Sequence, residues 1–290
     1  MTPELAATLE PLPGKHVRAG ALELFVTDHG AGPAIVFLHG LGWTHALWRR
    51  QIARYGERYR IIAGDSRGHG QSDKPTGPYT IEDMAADWLA ALDALDVPHW
   101  CLVGFSQGGR IAQSLALLAP QRTRALVILG SGSKSNPAGR AIMEKRLEAG
   151  RASARAGAEA AAASIFSEAF MAREAEFVQA FIAQRAALDF APLAAATRAL
   201  FDWDVSGRIP TLRCPATVAV GSVDRLCSVE AARETAGLIP DAEFSVIDGV
   251  GHMLTLEAPQ AFDPLLDRFL ARHPMRHVIH AGVWYLGAKV

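Results

Sequence analysis

The sequence predicts an α/β fold in which a mostly parallel sheet carries helices on both faces and a block of helices is inserted into it. Short, continuously apolar runs such as Ala34–Leu38 read as strands covered on both sides. These runs alternate with segments of helical periodicity, the pattern of βαβ units. One alanine-rich stretch, residues 133–206, interrupts the alternation and shows helical spacing with no convincing strand. The expected organisation is therefore a core of residues 1–132 and 207–272, a helical cap at 133–206, and a tail at 273–290 with no assigned role.

Taken in order, residues 22–27 alternate apolar and polar with period two, which suits an early antiparallel strand. Ala34–Leu38 is the first central strand and ends in His39-Gly40-Leu41-Gly42. Arg60–Gly64 is the next, followed by the glycine-rich loop Asp65-Ser66-Arg67-Gly68-His69-Gly70-Gln71-Ser72, in which Asp65 and Arg67 are expected to hydrogen-bond the loop itself. Thr80 and Asp83 have the spacing of a capping box, and Ile81, Met84, Ala85, Trp88, Leu89, Leu92 and Leu95 form one apolar stripe, with Trp88 expected in the core. Val97-Pro98 ends that helix and leads into a strand at 100–103. Further strands are expected at 125–130, 214–221 and Glu243–Ile247. Helices are expected at 228–238 and over Pro259–Arg272, the latter burying Phe262, Leu265, Leu266, Phe269 and Leu270.

Half of the 290 residues are hydrophobic, enough for a large core in one domain with an inserted subdomain. A formal net charge of -1 and the lack of a basic run interleaved with aromatics argue against a nucleic-acid or anionic-membrane partner. Cys101, Cys214 and Cys227 are too few and too scattered for a disulfide framework or a C-x-x-C metal site, which points to a reducing compartment. Residues 1–20 carry Glu4, Glu10 and three prolines in place of a basic start and apolar run, so they do not read as a secretory leader. His277 and His280 in the tail have no carboxylate partner and make a weak metal site, and no metal or organic cofactor is expected. The expected partner is a small-molecule substrate, with a homo-oligomer left open.

The chemistry centres on Gly104-Phe105-Ser106-Gln107-Gly108. A G-x-S-x-G run carries meaning when a strand precedes it and a helix follows, because the sharp turn between them pushes the serine hydroxyl into the open. Both flanks are present, with Ile111, Leu115 and Leu118 at helical spacing and Pro120 where the helix should stop. Serine needs a base to take its proton and an acid to orient the base. In such folds the chain order is serine, acid, histidine, which gives Ser106, Asp224 and His252, each after a predicted strand. Asp248 lies in the same loop as His252, too close to orient it, and His69 is a poorer base than His252 for the same order. The backbone N–H groups of Leu41 and Gln107 are the expected oxyanion donors. Serine at the turn, where other enzymes carry aspartate, argues against alkyl-enzyme chemistry.

On these residues the chain resembles the α/β-hydrolase superfamily from about Leu22 to Arg272. His39-Gly40, the Asp65 to Ser72 loop, the Ser106 turn, and Gly251-His252 with Glu257-Ala258-Pro259 all fall in the family's order. Gly77-Pro78-Tyr79-Thr80-Ile81-Glu82-Asp83, and His39-Gly40-Leu41-Gly42 with Trp48 and Gln51, look like the 3-oxoadipate enol-lactonase branch. The resemblance implies a cytoplasmic, cofactor-free enzyme that opens a small anionic lactone. Gly40 departs from that branch, where serine is common. Arg110 and Arg140 are the cations available near the turn and the cap, and both are expected on solvated surface. Two other readings use the same frame: a carbon–carbon bond hydrolase, for which Trp43, Thr44 and His45 offer weak extra polarity near the oxyanion loop, and a ligand-binding receptor that retains the triad.

Overall fold

The computed structural model describes residues 1–275. Among these, eight strands form one sheet: β1 (Lys15–Ala19), β2 (Leu22–His29), β3 (Ala34–Leu38), β4 (Arg60–Gly64), β5 (Trp100–Phe105), β6 (Thr123–Leu129), β7 (Ala216–Gly221) and β8 (Glu243–Ile247). The spatial order is β1-β2-β4-β3-β5-β6-β7-β8; β2 runs against both neighbours and the other pairs are parallel. Every position of β3, β5 and β7 is buried, so both faces of the central sheet are covered. β1 differs because it lies at an edge: only Val17 and Ala19 are buried, and such a short polar segment carries no strand signal in the sequence.

The helices follow their local chemistry. Thr80 and Asp83 form the reciprocal capping box that starts Ile81–Ala94, with Asp83 N–H 3.1 Å from Thr80 Oγ1 and Thr80 N–H 2.7 Å from the Asp83 carboxylate. Trp88 on that helix is fully buried and donates its indole N–H to Ser66 Oγ at 3.0 Å. Gln107–Leu118 buries Ile111 and Leu115, but Leu118 is 50% exposed because the helix ends there, just before Pro120. Pro259–Arg272 buries the five apolar residues that its periodicity marks out.

Between β6 and β7 the chain forms the helices Pro137–Ala152, Ala154–Ile165, Glu168–Arg173, Ala175–Ala186 and Phe190–Arg198. Lys134 and Asp204 pair as an isolated antiparallel bridge, so this insertion leaves and rejoins the sheet at adjacent points. Phe166 anchors an aromatic cluster inside it, with ring centroids 5.0 Å from Phe170 and 5.3 Å from Phe181. Phe181 also stacks on Trp43 of the loop after β3 at 5.1 Å. The tail from residue 276, including His277 and His280, lies outside the described residues. Among the described residues no helix is long and apolar enough to cross a membrane.

Register decides where function can sit. Leu38 aligns with Gly104, Phe105 with Leu129, Leu129 with Ala219, and Gly221 with Ile247. The loops that begin at residues 39, 106, 130, 222 and 248 therefore emerge along one edge of the sheet, the edge where α/β sheets bind ligands. Core packing and capping contribute unequally to holding that edge. Phe269→Ala is expected to cost about 3–5 kcal/mol by emptying a fully buried site. Thr80→Ala, which removes one cap, is expected to cost about 1 kcal/mol. Denaturant unfolding of the two variants checks the ranking.

Candidate active site

Ser106 is the residue between β5 and the helix Gln107–Leu118, and its backbone is held at φ 53°, ψ -114°. A side chain with a positive φ is uncommon and strained, and it persists only where the surroundings enforce it. Enforcement comes from both sides. Ser106 N–H donates to Leu129 O of β6 at 2.8 Å, and Gly109 N–H donates back to Ser106 O at 2.9 Å. Gly108 lets the helix start press against the end of β3, since a Cβ there would lie 2.1 Å from Leu38 O and 2.6 Å from His39 O.

The hydroxyl so presented meets the histidine. Ser106 Oγ is 2.8 Å from His252 Nε2, and His252 Nδ1 is 2.7 Å from Asp224 Oδ2. With Nδ1–H donated to the carboxylate, Nε2 is left to accept from the serine. The other oxygen of Asp224 accepts from Leu226 N–H at 2.8 Å and Cys227 N–H at 2.9 Å, which fixes the carboxylate at the tip of β7. Asp224 is sealed from solvent and the His252 side chain is 3% exposed. Asp248 is held elsewhere, accepting from Ser222 Oγ at 3.0 Å.

His252 is positioned from behind. Its backbone N–H donates to Ile165 O of the insertion at 2.8 Å. The buried Glu257 carboxylate accepts from Gly251 N–H at 3.0 Å, Ser167 N–H at 3.2 Å and Met253 N–H at 3.3 Å, tying the histidine loop to the insertion. In the sequence Glu257 stands out only as part of the Glu257-Ala258-Pro259 run. Its role as a buried acceptor of three amides comes from the fold.

Leu41 lies in the loop after β3, beside the turn. A Cβ on the neighbouring Gly40 would come 2.8 Å from the Phe105 ring and 3.3 Å from Ser106 Cβ. Gln107 opens the helix, a position whose N–H has no acceptor within the helix. Its side chain donates to Ala196 O of the insertion at 2.9 Å.

Several expectations about neighbouring polar residues are corrected. Arg67 does not hold its own loop; it pairs with Asp87 of the next helix at 2.5 Å and 2.6 Å. Asp65 does hold the loop, accepting from Gln71 N–H at 2.8 Å, and it also binds His45 through the backbone N–H and Nδ1, each at 2.8 Å. His45 is thereby turned into the core and adds no polarity to the cleft beside the loop after β3, while Trp43 is stacked on Phe181. Arg110 is not on solvated surface: it lines the cleft with Ser106 and His252, donates to Leu200 O at 2.6 Å and sits over the Trp203 ring. Arg140 stays at the surface, paired with Glu144 and Asp202. The cleft at Ser106 is narrow, about 30 Å³, with Gly130, Met143 and Phe201 among its walls. Among the described residues no cluster of His, Cys, Asp and Glu suits a metal ion.

A hydrogen-bonded serine–imidazole–carboxylate line thus stands at the carboxyl edge of this sheet. A family model described as alpha/beta hydrolase fold matches residues 33–259, and the chain belongs to that family. The putative carbamate hydrolase RutD of Caulobacter segnis is 28% identical over 246 residues, covering 83% of this chain and 92% of that protein. The 3-oxoadipate enol-lactonase 2 of Acinetobacter baylyi is 28% identical over 241 residues, covering 83% and 89%. The crystal structure of the enol-lactonase from Burkholderia xenovorans LB400 superposes with a TM-score of 0.83 at 26% identity, over 89% of this chain and all of that one.

Two outcomes follow from the buried groups. Glu257→Ala leaves three buried amides without their acceptor and is expected to cost about 3 kcal/mol or more, read by thermal unfolding. Burial, with His39 beside it, pushes His69 down to about 3, so the folded protein keeps it neutral. The unfolded chain takes up that proton below about pH 6.5, so the stability this histidine confers is complete above 6.5. It is lost at about 1.4 kcal/mol per pH unit as the pH falls from 6.5 towards 3. His69→Asn should flatten that slope in unfolding midpoints measured across pH.

Proposed function

We propose that this α/β hydrolase is a serine hydrolase of small esters or lactones, similar in chemistry to the enol-lactonases, and that it works through an acyl-enzyme. The observation that carries the reading is the continuous hydrogen-bonded line from Ser106 Oγ through the His252 ring to Asp224, starting at a serine held with positive φ. Likeness to enol-lactonases in both sequence and structure supports the lactone side of the proposal.

In this mechanism Ser106 Oγ attacks the carbonyl carbon as its proton passes to His252 Nε2. Asp224 stabilises the imidazolium through the Nδ1–H bond. The carbonyl oxygen, now negative, accepts from the N–H groups of Leu41 and Gln107, and each such donor contributes about 2.7–4 kcal/mol to the transition state. Collapse of the tetrahedral intermediate breaks the carbon–oxygen bond, and His252 returns the proton to the leaving oxygen. A water, deprotonated by the same ring, then cleaves the acyl-enzyme and restores the Ser106 hydroxyl.

The test is turnover of short-chain aryl esters, enol-lactones and a ring-cleavage dienone by the native protein and by Ser106→Ala, His252→Ala and Asp224→Asn. The native protein is expected to turn over an ester or a lactone, and each variant to lose about three or more orders of magnitude in kcat. Equal rates in native and Ser106→Ala protein would eliminate the mechanism. Turnover of the dienone alone would favour carbon–carbon bond cleavage, and tight binding with no turnover a receptor.

A further inference from the structure

At about 30 Å³ the cleft at Ser106 has room for about two water molecules and for no ester. Turnover of an ester or lactone therefore requires the cleft to widen. Lifting the whole insertion is a poor route, because Ile165 O holds the His252 backbone N–H and Ala196 O holds the Gln107 side chain. A motion of that kind would release the residues that work in the cleft as it opened.

The walls show where a local opening lies. One bank is the start of Pro137–Ala152, with Arg140 and Met143, and the other is the turn after Phe190–Arg198, with Leu200 and Phe201. The banks spring from a common foot, where Lys134 bridges Asp204 and Ser135 N–H donates to Trp203 O at 2.9 Å. Arg140 ties them together above it. Its guanidinium donates to Asp202 Oδ1 at 3.1 Å, lies 4.7 Å from the centre of the Phe201 ring, and is anchored on its own helix by Glu144 at 2.9 Å. The side chains of Arg140, Glu144 and Asp202 are 41%, 48% and 94% exposed, so these ion pairs are solvated and weak.

The turn also has space to move into. Residues 199–203 are neither helix nor strand, and Ala199, Asp202 and Trp203 line a groove of about 540 Å³ that Pro78 and Tyr79 also line. Leu200 is held from inside by Arg110, at 2.6 Å from its carbonyl, and the Trp203 indole N–H donates to Ser114 Oγ at 3.0 Å. Phe201 and Asp202 are left as the part that swings.

We infer that Phe201 is the gate of the Ser106 cleft and Arg140 its latch, so that these two residues set the size of the acyl group admitted. The inference rests on the hydrolase reading above and adds its size selectivity. A short acyl group needs a small excursion of the turn towards the groove, and a long one needs a wide excursion.

Uncharged aryl acetate and aryl octanoate test the gate, since neither carries a charge for Arg140 to attract. Arg140→Gln and Phe201→Ala are each expected to raise kcat/KM for the octanoate about fivefold more than for the acetate, as the loss of a weak latch implies. Ala199→Trp, which fills the groove behind the turn, should lower the octanoate rate and spare the acetate. Salt loosens the latch as well. Between about 0.1 and 1 M, as the screening length falls from about 10 to about 3 Å, the octanoate-to-acetate ratio is expected to rise more in native than in Arg140→Gln protein.

A second readout needs no turnover. Cys227 lines the same cleft at 3% exposure, whereas Cys101 is fully buried in β5 and Cys214 is not among the cleft walls. In Cys214→Ser protein, methyl methanethiosulfonate should therefore label Cys227 when the gate is open. Labelling, read by mass spectrometry, is expected to be about fivefold faster with Arg140→Gln and slower with Ala199→Trp. Labelling rates and octanoate-to-acetate ratios that ignore Arg140, Phe201 and salt overturn the gate and leave the hydrolase reading intact. Labelling that follows Arg140, in protein that turns over no ester or lactone, keeps the gate and removes the hydrolase reading. Because salt acts on the unsubstituted arginine, a variant that fails to fold still leaves the gate open to refutation.

Discussion

The backbone of one residue sets the geometry on which the site depends. Ser106 stands at φ 53°, a conformation that costs on the order of 1–3 kcal/mol for a residue with a side chain. What offsets it is the packing around it. All six positions of β5 are buried, β6 takes the serine N–H, and Gly104 and Gly108 lie so close that a Cβ on Gly104 would be 2.3 Å from Gly108 O. With the turn fixed, the hydroxyl has a defined direction, and His252 and Asp224 need only arrive at the same edge. Strand register brings them there, because β5, β7 and β8 all end at this edge, β7 and β8 running two residues past the level of Phe105.

How much of this could be read beforehand follows from where each residue finds its partner. Central strands are legible because burial on both faces demands continuous apolar runs; the edge strand β1 needs only Val17 and Ala19 and leaves no such trace. Ser106, Asp224 and His252 are legible because each lies in the turn or loop that follows a strand, and a parallel sheet converts that local fact into proximity. Arg67 and Arg110 are not. Their partners, Asp87 and the Leu200 carbonyl, are supplied by a later helix and by the insertion, and no local pattern encodes those meetings. Arg185 left a faint signal: it follows Phe177 and Phe181 at four-residue spacing, on the face those rings bury.

The insertion is part of the site's frame as well as its wall. Ile165 O takes the His252 backbone N–H, Ala196 O takes the Gln107 side chain, Leu200 O takes Arg110, and Arg185 reaches back to Leu41 O. Three elements at the sheet edge, the histidine loop, the helix after Ser106 and the loop after β3, are thus tied to the same helical block by four contacts, and Glu257 adds a fifth through Ser167. Movement of the block as a unit would disturb the histidine and the loop after β3 together.

The bridge between Lys134 and Asp204 has a further consequence. An excursion whose two feet stand side by side imposes almost no demand on the span between them, since lengthening a closed loop adds only slowly to its entropic cost. Helices could be gained, lost or exchanged above that neck while the ladder from β6 to β7 kept its pairing. A lineage could in this way retune which molecules it admits while inheriting its bond-breaking apparatus unchanged.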